Sequence, residues 1–576
     1  MLDHSVWRGP VWLALVLFAT LVHSDQAAIG IDEDFADWAP ITPVVDAIGD
    51  AGASGVDLLR LWLADDDDYL YVGLEVNTPL LLNDAHDVTL YLDTDANAST
   101  GLSVAGIGAE LEWRFGDKSG VVRTGGSPTT IDQNDLGFRA APTVTATRFE
   151  CAISRTAAPD GPLFTGSTIR VVLRDDPSGD RIPGGLGGVS YDLGSGSVSP
   201  PAELATDRLS VDDVRVATLN VLNDSPWNGG GSQLGRLLAA VEADVYCFQE
   251  IYSHSAGETA TWVGSWVTPP AGGWNARSNN DCKVISRFPV LGNWSLSGNL
   301  AVLIDTTARL GRNLLVVNMH LPCCTNDSGR QDEIDEILAF IRDERSGGVL
   351  DTVPAPGLVL LGDLNLVGSS QQLTSLLEGD IVDTATYGPD LAPDLDGSDL
   401  ADARPRQISR RMAYSWRSDS SSFWPGRLDL FVYSDAVFEK VRDFLVYTPE
   451  LSTAKRTELG VQSGDSLASD HLLMTVDLRE VGTPGAVLFR RGDTNEDGAI
   501  GLGDVVRLLA IVFGEMASSC PDASDTNDDG SADVGDAVYL LAYLFAGGPA
   551  PALPMSCGID PTPDAIPDCT AYAGCP

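Results

Sequence analysis

Between residues 211 and 480 the chain alternates strand-like apolar runs with helical repeats, and most of the strand-like runs stop at a polar residue. Val214–Val221 (VRVATLNV), Asp244–Phe248 (DVYCF), Leu314–Asn318 and Leu358–Leu361 read as buried strands. Leu234, Leu237, Leu238 and Val241 recur at helical spacing behind Ser232, an expected N-cap. Ile334, Ile337, Leu338 and Ile341 repeat the pattern further on. Strand and helix in alternation give a layered α/β domain, which places its chemistry where strands end. The polar residues at those ends are, in order, Asn220, Glu250, His320, Asp363 with Asn365, Asp429, and Asp470 with His471.

Taken singly, each of these is an ordinary turn carboxylate or a structural histidine. Their order carries more. Thr218-Leu219-Asn220, Gln249-Glu250, Asn318-Met319-His320, Gly362-Asp363-Leu364-Asn365, Leu428-Asp429 and Ser469-Asp470-His471 together resemble the endonuclease/exonuclease/phosphatase superfamily. That superfamily includes pancreatic deoxyribonuclease, abasic-site endonucleases, bacterial sphingomyelinases and inositol polyphosphate 5-phosphatases. Ile285-Ser286-Arg287-Phe288-Pro289-Val290 is similar to a strand entry common there. The resemblance implies a four-layer α/β sandwich over residues 208–480 and hydrolysis of phosphate esters with Mg2+ or Mn2+. It implies Glu250, Asn220 and Asp470 around the metal, and Asp363 positioning or deprotonating the attacking water. Asn365 is expected to bind phosphate, His471 oriented by Asp429 to stabilise the transition state, and His320 to donate to a phosphoryl or leaving oxygen. The chemistry agrees: a hard cation neutralises phosphoryl oxygens and acidifies bound water, and a carboxylate fixes a histidine's tautomer. No covalent enzyme intermediate is expected.

The last segment holds a duplication. Asp493, Asn495, Asp497, Gly498, Ala499 and Asp504 recur as Asp525, Asn527, Asp529, Gly530, Ser531 and Asp536, each loop leading into an apolar helix. Oxygens at loop positions 1, 3, 5 and 12, with the carbonyl of position 7, form a calcium loop. With Asp at position 12 and one helix per loop, the pair resembles type I dockerin repeats. That implies bound Ca2+ and a cohesin-like or cell-surface partner. The partner-selecting positions are Leu502-Gly503 and Val534-Gly535, which departs from the usual hydroxyl pair. The expected domain spans residues 488–548, followed by a Cys-rich tail, 549–576.

Residues 29–200 read as a β-sandwich. Leu59–Ala64 and Tyr69–Val76 flank the four aspartates Asp65–Asp68, a hairpin signal, and Val88–Asp93 adds a strand. Asp37-Trp38, Tyr69–Val72 and Tyr91–Asp95 with Ser99-Thr100-Gly101 faintly resemble family 9 carbohydrate-binding modules, which implies a polysaccharide partner. Trp38 and Trp62 are sugar platforms or core residues. Asp93, Asp95 and Asn97 bind calcium or simply make a turn.

Arg8 and the apolar run Val11–Val22, followed by Val22-His23-Ser24, predict a signal peptide over residues 1–24, with an N-terminal anchor as the alternative. No transmembrane segment is expected after its removal, and the mature protein is expected outside the cell or at its surface. Export suits Cys520, Cys557, Cys569 and Cys575, an even set expected to form one or two bridges. Cys323-Cys324 either tethers its loop to Cys282 or stands free.

The formal charge is −46 (36 basic against 82 acidic side chains), which repels nucleic acid unless a local basic site or metal intervenes. One such site is the stretch Arg404, Arg406, Arg410, Arg411, Arg417 and Arg427 with Tyr414, Trp416, Phe423 and Trp424; it recruits phosphate or pairs with the acidic stretch 380–402. The substrate is nucleic acid, phospholipid or a small phosphate ester. The rival readings are a non-catalytic binding or scaffold protein, and an enzyme of a polysaccharide-degrading assembly.

Overall fold

Alternating side chains from Leu58 to Leu193 bury one apolar core between two antiparallel sheets. The computed structural model describes residues 27–52, 55–125, 127–194, 198, 200–481, 487–514, 516–558, 566, 569 and 571–575. The expected signal peptide lies outside these residues, as do Pro484 and Gly485, a Pro-Gly pair that the sequence reads as a domain boundary. One compact unit comprises the chain up to Pro200 together with Ser418–Trp424; the other comprises Pro201–Arg417 and Pro425 onward.

In the first unit the five-stranded sheet contains the expected hairpin, Leu58–Asp65 against Tyr69–Leu80, with Leu63 opposite Val72. The seven-stranded sheet is built around Val88–Asp93 and Thr168–Asp175. Trp38 and Trp62 are core residues rather than sugar platforms: they are 1% and 7% exposed. The Trp38 indole donates to the buried Glu150 carboxylate (3.1 Å), a bond that a solvent-facing platform would not make. The aspartate turn is likewise less solvated than its composition suggests, because Asp65 accepts from Tyr191 Oη (2.7 Å) and pairs with Arg155 (3.0 Å). Ser418–Trp424 joins this unit through Trp424, which is buried in its core and meets Phe138 edge-on.

In the second unit two six-stranded sheets carry the polar motifs. In one, Val214–Asn220 runs parallel to Val245–Gln249, with Asn220 beside Gln249, and antiparallel to Leu473–Glu480. In the other, Leu314–His320 runs parallel to Gly357–Asp363, which is antiparallel to Asp429–Tyr433. That register places His320, Asp363 and Asp429 side by side on adjacent strands. Leu234, Leu237, Leu238 and Val241 of the helix Gly231–Val241 pack on the first sheet, as their spacing predicts. Ser232 is inside that helix, not its cap. Gly230 takes the cap position, where an added Cβ would meet Ser225 Oγ at 2.2 Å. Ile334, Ile337, Leu338 and Ile341 are buried on the helix Asp327–Arg345.

Each of the duplicated acidic loops leads into a helix. Helices Leu502–Val512 and Val534–Ala546 pack through Val505, Leu508, Ala537 and Leu540. Both loops close alike: Asp493 accepts from the Asp497 and Gly498 amides, and Asp525 from those of Asp529 and Gly530. Disulfides join Cys520 to Cys569 and Cys557 to Cys575. Cys282 is buried and unbridged, and Cys323 and Cys324 are exposed and unbridged, so the loop tether is absent. No helix among the described residues is long and apolar enough to cross a membrane.

A buried ion pair locks the first sheet of the second unit. Arg215 holds Asp477 with two bonds (2.6 and 2.7 Å) and also donates to the Val241 and Thr206 carbonyls. Removing one partner strands a buried charge, which costs about 3–5 kcal/mol. Arg215→Ala should therefore lower the denaturant midpoint of this unit by a corresponding amount, read by chemical unfolding followed by intrinsic fluorescence.

Candidate functional site

The strand ends converge on the Asp363 carboxylate. Asp363 terminates Gly357–Asp363 and is 2% exposed. The glycine before it is required. Gly362 has φ +129°, and a Cβ there would lie 2.1 Å from the Met319 carbonyl oxygen. Asn220 reaches across from the other sheet, its Nδ2 donating to Asp363 Oδ2 (2.9 Å) and to Glu250 Oε1 (3.1 Å). Glu250 Oε2 accepts from the Asn223 amide (2.8 Å). Glu250 itself follows its strand in a left-handed conformation, φ 61°.

Two imidazoles flank Asp363. His471 Nε2 lies 3.5 Å and His320 Nε2 3.7 Å from Asp363 Oδ2. Each Nδ1 faces its own carboxylate: His471 meets Asp429 Oδ2 at 2.8 Å, and His320 meets Asp281 Oδ2 at 2.6 Å. Asp429 is fixed in turn by Ser415, whose Oγ accepts from the Leu428 and Asp429 amides (3.1 and 2.8 Å). Asp281 also accepts from the Glu250 amide (3.0 Å), so one carboxylate orients the histidine and the turn that carries Glu250.

Electrostatics favour the charged form of both rings. Burial alone would lower the His471 pKa, but Asp429 and Asp363 outweigh it and raise the value well above that of a free histidine. His320 behaves alike: burial opposes, while the Asp281 bond and the Asp363 charge prevail. Asp281 moves the opposite way, with burial overcome by His320 so that its pKa falls. Burial pushes Asp429 up despite its imidazolium partner. The result is two N–H donors aimed at one carboxylate, in a chain that is strongly acidic elsewhere.

Of the sequence-predicted residues, the structure brings together Asn220, Glu250, His320, Asp363, Asp429 and His471. The Asn365 backbone amide donates to Asp363 Oδ1 (3.0 Å) and its Nδ2 to the Leu321 carbonyl (3.0 Å). It braces Asp363. Asp470 is tied to the Trp416 indole (3.0 Å) and adds its charge to those acting on His471. Asp281 was not legible as a site residue, because it sits in the turn Asn279-Asn280-Asp281, where Asp is common for local reasons. The buried Gln249–Asn318 pair (2.5 Å) also escaped notice, although Asn318 lies two residues before His320. The arginine-rich stretch is engaged internally: Arg427 and Arg404 pair with Asp402 (2.9 and 3.4 Å) and Arg410 with Glu450 (2.8 Å).

A hard divalent cation fits this site. Glu250 offers carboxylate oxygens and Asn220 its Oδ1, and Asp429 Oδ1 is buried without a hydrogen bond. Oxygens or ring nitrogens of Asp363, Asp429 and His471 come within 4.8 Å of one another. The His471 ring is already paired with Asp429, which leaves Glu250 and Asn220 as the better cation ligands.

The profile of the Endonuclease/Exonuclease/phosphatase family matches residues 217–471. Solved structures similar to the chain include humanized D. rerio TDP2 (14% identity, 46% of this chain and 99% of that chain, TM-score 0.30). They also include the human Nocturnin catalytic domain with bound sulfate anion (14% identity, 47% and 95%, TM-score 0.30). A third is ANGEL2, a 2',3'-cyclic phosphatase (14% identity, 50% and 99%, TM-score 0.32). No curated protein matches the chain. Residues 217–471 are thus a domain of the endonuclease/exonuclease/phosphatase type, a phosphoric ester hydrolase.

The Gly362 geometry has a direct test. Gly362→Ala combines a disfavoured φ with a backbone clash, and such strain costs on the order of 1–3 kcal/mol. The melting temperature should fall, and any activity should fall with it as Asp363 is displaced.

Proposed function

We propose that the chain is an exported, divalent-metal-dependent phosphodiesterase acting on nucleic acid or phospholipid. The observation that carries this reading is the placement of both imidazole Nε2 atoms within 3.7 Å of one Asp363 oxygen, each ring backed by its own carboxylate. Mg2+ or Mn2+ held by Glu250 and Asn220, with Asp470 near His471, would neutralise phosphoryl oxygens and acidify water. Asp363 orients a water and takes its proton. His471 donates Nε2–H to a phosphoryl oxygen as charge builds there, with Asp429 stabilising the imidazolium. His320 donates to a second oxygen or to the departing alkoxide, with Asp281 in the same supporting role. Asn365 and Asn220 hold Asp363 in place throughout. Preorganised donors of this kind act where transition-state charge develops, and each is worth about 10²–10³ in rate.

Both substrate classes are phosphodiesters, and the net charge weighs against strong duplex binding without metal. The engaged arginines favour the structural reading of the 404–427 stretch over a recruiting loop. Export is supported by the N-terminal apolar run and by two disulfides at the C-terminus. The C-terminal repeats support a calcium-dependent attachment module. Its helices leave Val506 (63% exposed), Phe513 (70%), Val538 (60%) and Phe545 (70%) facing outward, as a docking surface for a cohesin-like partner requires. An attachment module also suits the second reading, a binding protein whose central domain is inert.

One comparison decides between the two. Full-length protein with Mg2+ or Mn2+ is offered DNA, RNA, sphingomyelin vesicles and a small phosphodiester. Turnover of at least one is expected, abolished by chelation and restored by metal. No turnover of any leaves the binding-protein reading. His471→Ala and Asp363→Ala should each lower kcat by at least about 10³, while Asp281→Asn should cost less, about 10–10², with KM little changed. For the repeats, Asp493→Ala combined with Asp525→Ala should remove the calcium-dependent rise in melting temperature of the C-terminal segment, followed by scanning calorimetry.

A further inference from the structure

Asp93 ends the strand Val88–Asp93 and is fully buried, and Asp95 follows two residues later at the surface. Glu110, between the strands Ile107–Ala109 and Leu111–Arg114, is 5% exposed. One oxygen from each of these three carboxylates lies within 4.8 Å of the others. Backbone amides satisfy part of the cluster. The Asn97 amide donates to Asp93 (3.0 Å) and Asp95 (2.9 Å), and the Thr94 amide donates to Glu110 Oε2 (2.9 Å). Glu110 Oε1 has no hydrogen-bond partner although it is buried. A buried carboxylate oxygen left bare is expensive, the more so beside two other carboxylates. The cation in the neighbouring cleft wall, Arg123, points instead to Glu112 (2.8 Å).

We propose that Asp93, Asp95 and Glu110 form a calcium site in the first unit, independent of the hydrolytic centre and of the C-terminal loops. All donors are hard oxygens. The three oxygens lie within 4.8 Å of one another, close enough for one calcium ion, which holds oxygens at about 2.3–2.6 Å, to reach all of them. Calcium takes six to eight ligands, and water supplies the remainder. The cluster borders a cleft of about 480 Å³ lined by Thr94, Asp95, Thr100, Glu110, Arg123 and Asp160, through which a hydrated ion enters. Asn97, expected from the sequence as a ligand or turn residue, takes the turn role: its Oδ1 accepts from the Ser99 amide (3.1 Å). Glu110 supplies the third carboxylate in its stead. Bound calcium would cross-link the Asp93–Thr100 loop to the strand junction at Glu110.

The test counts calcium. Full-length wild type, Glu110→Gln and Asp95→Asn are stripped with chelator, dialysed to equilibrium against calcium in excess magnesium, and analysed for bound metal. Wild type should hold one calcium more than either variant. The C-terminal loops and the hydrolytic centre contribute equally to all three proteins, so their occupancy cancels in the difference. Phosphodiesterase activity is read on the same samples and should be unchanged in both variants. Asp95 is exposed, so Asp95→Asn decides the matter if Glu110→Gln fails to fold. Equal calcium counts in wild type and Asp95→Asn overturn the proposal.

Discussion

The hydrolytic centre depends on one buried carboxylate that is never alone. Asp363 is 2% exposed, and the Asn220 amide and two imidazole rings converge on a single one of its oxygens. The protonated form of each ring is favoured in turn by the carboxylate behind it and by Asp363. The arrangement is a closed loop of mutual stabilisation, and each member is placed by a strand end.

Sheet register is what makes the loop possible. His320, Asp363 and Asp429 are neighbours because three strands align at their ends, and a slip of one residue would turn each side chain to the opposite face. Asn220 arrives from the other sheet, so the site draws on both sheets. Gly362 permits the close passage of the Asp363 strand past Met319. The helix Asp327–Arg345 contributes at longer range. Its buried Arg330 donates to the Pro322 and Cys324 carbonyls (2.9 and 3.1 Å), which steadies the loop leaving His320.

Much of this was legible in the sequence because strand periodicity and polar strand ends are local signals. The helical spacing of Leu234–Val241 and the duplicated acidic loops were readable for the same reason. What escaped was set by tertiary contact. Asp281 looks like any turn aspartate until His320 is folded onto it. Asn365 sits where its motif puts it, but the bond from its Nδ2 to the Leu321 carbonyl is set by tertiary contact. Trp424 follows a serine-rich stretch within the α/β segment but belongs to the core of the first unit, which no contiguous boundary could anticipate. Trp38 and Trp62 illustrate the same limit: an aromatic residue in a strand carries no mark of the side it faces until the second sheet is in place. The tether between Cys323-Cys324 and Cys282 failed because Cys282 points into the core.

The distribution of sulfur separates the parts of the molecule by chemistry. Both disulfides lie between Cys520 and Cys575, so covalent reinforcement among the described residues is confined to the C-terminal segment. Cys151, Cys247 and Cys282 are buried, and burial pushes each thiol well above its ordinary range, which suppresses the thiolate needed for exchange or oxidation. A reducing environment would therefore loosen the C-terminal repeats while leaving the sheets of both units, which carry no disulfide among the described residues, unchanged. The repeats and the hydrolytic domain would then have separate lifetimes in the same surroundings.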